Sequence, residues 1–171
     1  MPPRGNQVGV YEAVVFVHVL GVMGFLLVHG ISLGVSLRLR KERDVVRVRA
    51  LVEFSYSSVG GTHLFMLVII VTGIVLGFMG PWWGMGWIWT ALFLLFGMWA
   101  FMYALGTSYY DEVRRAVGAT PFYGAKKRPA PANPDPDRVN ALLSSSRPVL
   151  LSAVGVVGLA ILFWLMMFKP F

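Results

Sequence analysis

One apolar run decides most of what this chain can become. Residues 10–37 read VYEAVVFVHVLGVMGFLLVHGISLGVSL, with Glu12 at the start as the only formally charged side chain. A helix rises about 1.5 Å per residue, and a hydrocarbon core about 30 Å thick takes about 20 apolar residues to cross. The run exceeds that length. It predicts a helix that spans a bilayer rather than one packed in a water-soluble core.

Three further runs of this kind follow. Their limits predict membrane-spanning helices over 8–37, 59–79, 86–108 and 148–168 in a single integral membrane domain, 1–171. The expected fold is an all-α, four-transmembrane-helix bundle. A composition 57 % apolar and 13 % charged agrees with it. The chain has no cysteine, which excludes disulfides, thiolate zinc sites and iron–sulfur clusters. The opening MPPRGNQ carries one arginine, and the run behind it is far longer than a signal-peptide core. The first run is therefore expected to be retained.

The net charge of +7 is placed, not spread. Nearly all lysines and arginines lie in 38–58 and 109–147, whereas the turn GPWWGMG at 80–86 has none. The positive-inside bias then predicts N-out/C-out topology with both basic loops cytoplasmic. This placement argues against nucleic acid and for anionic lipids of the bilayer as partners. Residues 38–58 interleave arginines with Val45, Val46, Val48, Leu51 and Val52, as a short amphipathic helix on the leaflet would. Residues 109–147, rich in Pro, Lys, Arg and Asp, predict a mobile loop with a helical start at 111–117. Trp82, Trp83, Trp87 and Trp89 form an expected interfacial aromatic belt. Gly30 with Gly34, Gly73 with Gly77, and Ala100 with Ala104 are small-residue pairs that let helices approach. Ser152, Gly155 and Gly158 make a matching stripe. Such faces serve one bundle, a homo-oligomer or another membrane protein alike.

The candidate chemistry centres on three histidines. His18 and His29 are eleven residues apart, about three helical turns, so they share a face about 16 Å apart along the axis. A histidine facing lipid is poorly solvated, so this face should point into the bundle. His29 near the inner end of the first helix and His63 near the start of the second lie at comparable depth; His18 is nearer the outer face. Haem b held between two imidazoles of adjacent helices is one use of such a pair. Gly30, Gly34, Gly60 and Gly61 leave room for a flat macrocycle beside it. A soft metal, Cu(I) above all, is a second use, with Met23, Met66, Met98 and Met102 as thioethers. Proton handling by His18 and His29 is a third. Against these stands a purely structural use, in which each imidazole bonds to a neighbouring carbonyl or hydroxyl and no cofactor binds. No mid-membrane carboxylate, nucleophile–base pair, HExxH or P-loop is present, which argues against a proton-coupled transporter, a hydrolase or a nucleotide-driven enzyme.

The segment FVHVLGVMGFLLVHG at 16–30, followed by the basic LRLRKERD at 37–44, resembles an uncharacterised family of bacterial integral membrane proteins with a domain of unknown function. That family is similar, more distantly, to the copper-resistance protein D membrane domain and to membrane-bound protoporphyrinogen oxidase, which binds haem b. The shared signs are His18 followed by Gly21, and Thr72–Gly73 in the second helix. The resemblance covers about residues 10–110. It implies a multi-pass protein of the bacterial plasma (inner) membrane and makes His18 the haem-ligating histidine. The chain departs from the oxidase pattern: Phe25 stands near where a tryptophan is expected, and no basic residue lies inside the third helix. Protoporphyrinogen oxidation is therefore not carried over. The resemblance favours His18 and the depth argument favours His29 with His63. The expected function is a membrane bundle binding haem b or a metal such as copper through these histidines, in redox or metal handling. The alternative is a non-catalytic accessory subunit whose histidines only set helix packing.

Overall fold

A computed structural model describes residues 5–122 and 133–171, and all regular structure among them is helical. Helix α1 runs Gly5–Leu39 and α2 runs Val45–Met79. A 3₁₀ turn at Trp82–Gly84 leads into α3, Gly86–Phe101. A π-helical segment, Met102–Thr107, continues without a break into α4, Ser108–Ala116. Then come α5, Pro136–Leu143, and α6, Arg147–Phe168. Four helices are long and apolar enough to cross a membrane: Gly9–Leu39, Val45–Met79, Gly86–Ala116 and Arg147–Phe168. This is the make-up of a multi-pass membrane protein.

The helices are longer than the apolar runs alone predict. Residues 45–58 are not a separate helix on a leaflet but the first turns of α2. Asp44 caps that helix, its carboxylate accepting the Val46 N–H at 2.9 Å. Nothing breaks the helix before Gly80, and Gly60 and Gly61 are tolerated within it. At 35 residues, α1 and α2 are each about 50 Å long, well beyond a 30 Å hydrocarbon layer. The surplus of both lies at the basic end of the hairpin.

That surplus has a partner. Val35 and Leu39 of α1, Val48 and Val52 of α2, Tyr109 and Val113 of α4 and Val139 and Leu143 of α5 form one buried cluster. Of the segment expected to be a mobile loop with a helical start at 111–117, that start is helical, within α4, and the other described residues add a second short helix, α5, both packed on the hairpin. Asp135 caps α5 through the Arg138 N–H, and the Asp135 N–H donates to Ala116 O at 2.8 Å. The Tyr109 hydroxyl donates to Leu142 O at 3.2 Å. The basic stretch Lys126, Lys127 and Arg128 lies outside the described residues.

In the apolar midsection packing works differently. Lipid tails are as apolar as leucine, so helices there meet through small residues rather than by hydrophobic drive. Phe16, Leu27, Phe78 and Phe93 face outward. In the α1–α2 seam a Cβ on Gly24 would overlap the Phe65 ring, one on Gly21 would lie 3.0 Å from Val68, and one on Gly61 3.3 Å from Val28. Gly30 and Gly34 are not part of this seam: a Cβ on either would meet open space. The stripe on α6 is used, since Gly158 seats the Met98 thioether of α3.

The tryptophan end holds a second cluster, with Trp87 and Ala91 of α3 against Leu162 and Leu165 of α6. After α6 the chain turns through Lys169 in the left-handed region, φ 45°, and the Trp87 N–H donates to Phe171 O at 3.1 Å. The Lys169 ammonium then lies 4.0 Å from the Trp82 ring centroid, a cation–π contact that offsets the strained turn.

Candidate functional site

The four long helices do not close on one another. Between α1, α2, the π segment and α6 they leave a largely apolar cleft of about 550 Å³, reaching from mid-helix to the buried cluster at the basic end. That volume is in the range of small-molecule and cofactor pockets.

His29 and His63 both line this cleft, from α1 and α2 respectively. The His29 imidazole stacks on Phe25 one turn earlier, with ring centroids 5.3 Å apart and planes 10° apart. Its Nε2 lies 3.5 Å from where a Cβ on Gly155 of α6 would be, so that glycine makes the room it occupies. Among the described residues no hydrogen bond reaches His29. His63 Nδ1 lies 2.8 Å from Val59 O, one turn back on its own helix. A carbonyl only accepts, so Nδ1 carries the proton and Nε2 keeps its lone pair. That is the tautomer in which a ligating histidine is usually held.

His18 is elsewhere. It sits in the α1–α2 seam against Gly73, with Nδ1 2.8 Å from Thr72 Oγ1. The Thr72 hydroxyl proton goes to Val68 O at 2.6 Å, so its oxygen accepts and His18 donates. The structure therefore brings His29 and His63 to one cleft and leaves His18 outside it.

Of the four methionines considered as soft ligands, Met66 and Met102 line the cleft. The Met102 methyl and His29 Nε2 converge on Gly155. Met98 is taken up in the α3–α6 contact, and Met23 points outward. Among the described residues no three His, Asp or Glu side chains cluster as a metal site.

Two features of the cleft have no clear signal in the sequence. The π segment widens the helix and turns Met102, Tyr103, Gly106 and Thr107 towards the opening. Ser108 Oγ donates to Ala104 O at 2.9 Å, satisfying a carbonyl there. The second feature is Arg114, buried at the basic mouth. Its guanidinium donates to Val52 O at 3.0 Å and Thr120 O at 2.6 Å. It also lies over Tyr56 and Phe122, 4.6 and 5.1 Å from their centroids. The sequence shows Arg114 as one more basic residue of a polar loop.

Fold and cleft together define a class: an all-helical protein with four helices fit to cross a membrane and a histidine-bearing cavity between them. Comparison with protein-family models, with curated proteins and with solved structures finds no match to this chain.

Proposed function

We propose that this chain is a small protein of the bacterial inner membrane, N-out and C-out, that binds haem b in the cleft and serves redox chemistry. The observation that carries the reading is His29, an imidazole with no hydrogen-bond partner among the described residues, facing an apolar cleft that His63 also lines. An imidazole left unbonded in an apolar setting costs free energy unless something takes its lone pair. A bound iron would do so. The residues fit the group: an apolar cleft would take the macrocycle, His29 and His63 would serve as nitrogen donors, and Arg114 at the polar mouth would supply a cation for the propionates. When bound, haem supplies one-electron chemistry at its iron. Met66, which lines the same cleft, and Met102, which converges with His29 on Gly155, give copper as the alternative occupant, since thioether and imidazole suit Cu(I). His18 takes no part in this site and serves the α1–α2 seam.

The topology rests on charge: the α1–α2 hairpin end carries Arg38, Arg40, Lys41 and Arg43, and the tryptophan turn carries no charge.

A second reading has its own support. His18 and His63 each bond within the protein, to Thr72 and to Val59 O. That is what an accessory subunit with structural histidines would show.

A reduced-minus-oxidised visible spectrum of the detergent-purified protein, with metal analysis of the same sample, separates these readings. A haem b band, lost in H29A, supports the proposal. A colourless, metal-free protein expressed with ample haem and copper would refute it and leave the accessory subunit.

A further inference from the structure

Antiparallel helices joined by a short turn usually pack along their length. Helices α2 and α3 do not. At their turn Trp83 seats on Gly77 of α2, but beyond it no seam joins the two among the described residues. The seams lie elsewhere. Helix α1 packs along α2, α3 along α6, and α1 meets α6 where His29 stands against Gly155. The cleft is therefore open sideways, between α2 and α3. Residues that line the cleft and are also exposed mark the lips of this gap. On α2 that residue is His63. Across from it are Trp99 of α3 and Tyr103 of the π segment, 51 and 52 % exposed.

Depth decides what the gap faces. The apolar part of α2 begins at Val59, so His63, four residues on (63 − 59), lies about 6 Å inside it. The apolar run through α3 ends at Ser108, which sets Tyr103 and Trp99 about 8 and 14 Å inside. At these depths the gap opens on hydrocarbon, unlike the ends of α1 and α2 that project beyond it. The basic mouth, by contrast, is stopped by side chains. The Tyr56 and Phe122 rings are 4.3 Å apart there, with Arg114 against both.

A molecule that passes a gap facing hydrocarbon must itself dissolve in lipid. The α2 lip has no proton to offer it: the Thr62 hydroxyl donates to Ser58 O at 3.1 Å, and His63 Nδ1 donates to Val59 O. Arg114 supplies a cation at the inner end, suited to a carboxylate edge. We propose that the cleft exchanges its ligand with the bilayer through the gap between α2 and α3. A lipid-dissolved, carboxylate-bearing amphiphile, haem in the reading above, enters sideways past Trp99 and Tyr103 with its polar edge towards Arg114. The identity of the ligand rests on that reading; the opening to lipid does not.

Two measurements test this. In the first, the haem-free chain in phosphatidylcholine vesicles carries one nitroxide, on A160C of the cleft wall. Power saturation then compares access for oxygen, which concentrates in lipid, with access for a nickel chelate confined to water. The oxygen-to-nickel ratio should match that of L27C on the lipid-facing side. A ratio matching S144C, exposed at the basic end, or no access for either quencher, would overturn the opening to lipid. S152C on the same wall serves if A160C does not fold. In the second, the haem-loaded protein releases haem through the bilayer to apomyoglobin outside, followed by its spectrum. W99A/Y103A at the lips should release severalfold faster than the parent. W164A/F168A, which removes two exposed aromatics of α6 outside the cleft, should match the parent. Equal rates in the two pairs would overturn the gap as the route. A chain that takes up no haem refutes the haem reading and the proposed ligand with it, while the nitroxide still decides the opening.

Discussion

His29 Nε2 lies 3.5 Å from the place a Cβ on Gly155 would take, with Met102 Cε 3.3 Å from the same point. Helix α6 therefore gives up a side chain so that an imidazole of α1 and a thioether of the π segment can meet beside it. G155A should be tolerated, since the methionine end can shift; a cost under about 1.5 kcal/mol is expected. G155L should drive His29 or α6 aside. We expect loss of the haem band with helix content unchanged by circular dichroism.

The three histidines should part company under substitution. H29A and H63A should each abolish haem absorbance in protein that still folds. H18A should keep the spectrum and lose stability, by about 0.6 kcal/mol for an average interhelical hydrogen bond in a membrane protein. The paired readout is the reduced-minus-oxidised spectrum and a thermal melt. Haem retained in H29A but lost in H18A would shift the ligand to the α1–α2 seam.

Stability should concentrate where water, not lipid, surrounds the packing. Leu39, at 1 % exposure in the cluster shared with α4 and α5, should cost about 2–5 kcal/mol as L39A. Leu27, at 73 % exposure on the lipid-facing side, should cost little as L27A, because hydrocarbon replaces hydrocarbon. Unfolding by sodium dodecyl sulfate, titrated in mixed micelles, measures both. Equal losses would show the cluster to be dispensable.

Arg114 ties the cluster to α2. R114A removes donors from Val52 O and Thr120 O and a cation from two aromatic faces, at a cost of about 1.5–3 kcal/mol. R114K should recover little, since an ammonium cannot copy the planar fork or its stacking. The same titration reads this. Full recovery in R114K would mean that charge alone matters.

Orientation can be read directly because the native chain has no cysteine. A single cysteine at Gly84 should react with a membrane-impermeant maleimide in cells with a permeable outer membrane. One at Ser144 should react only after the inner membrane is opened. The reverse pattern would invert the proposed topology.

Much of the architecture is local and so written in the sequence. Length and hydropathy are sums along a segment, and a bilayer tests little else; hence the four long helices and the two unlike ends are visible without coordinates. Depth along a helix is also a linear quantity. It sets His29 and His63 at comparable depth, within a turn or two of each other, and both are among the residues that line the cleft. What only the tertiary structure decided depends on distant segments meeting. Val48 and Val52 read as the apolar side of a surface helix until Val113 and Val139 arrive to bury them, which lets α2 run unbroken from Val45 to Met79. Gly30 and Gly34 match a packing motif, yet the seam uses Gly21, Gly24 and Gly61, because rotation about the helix axis is set by the partner's shape. The π segment, the burial of Arg114 and the parting of His18 from the other histidines belong to the same kind. Each is a choice between arrangements of nearly equal local cost, settled by which side chains fit across the gap.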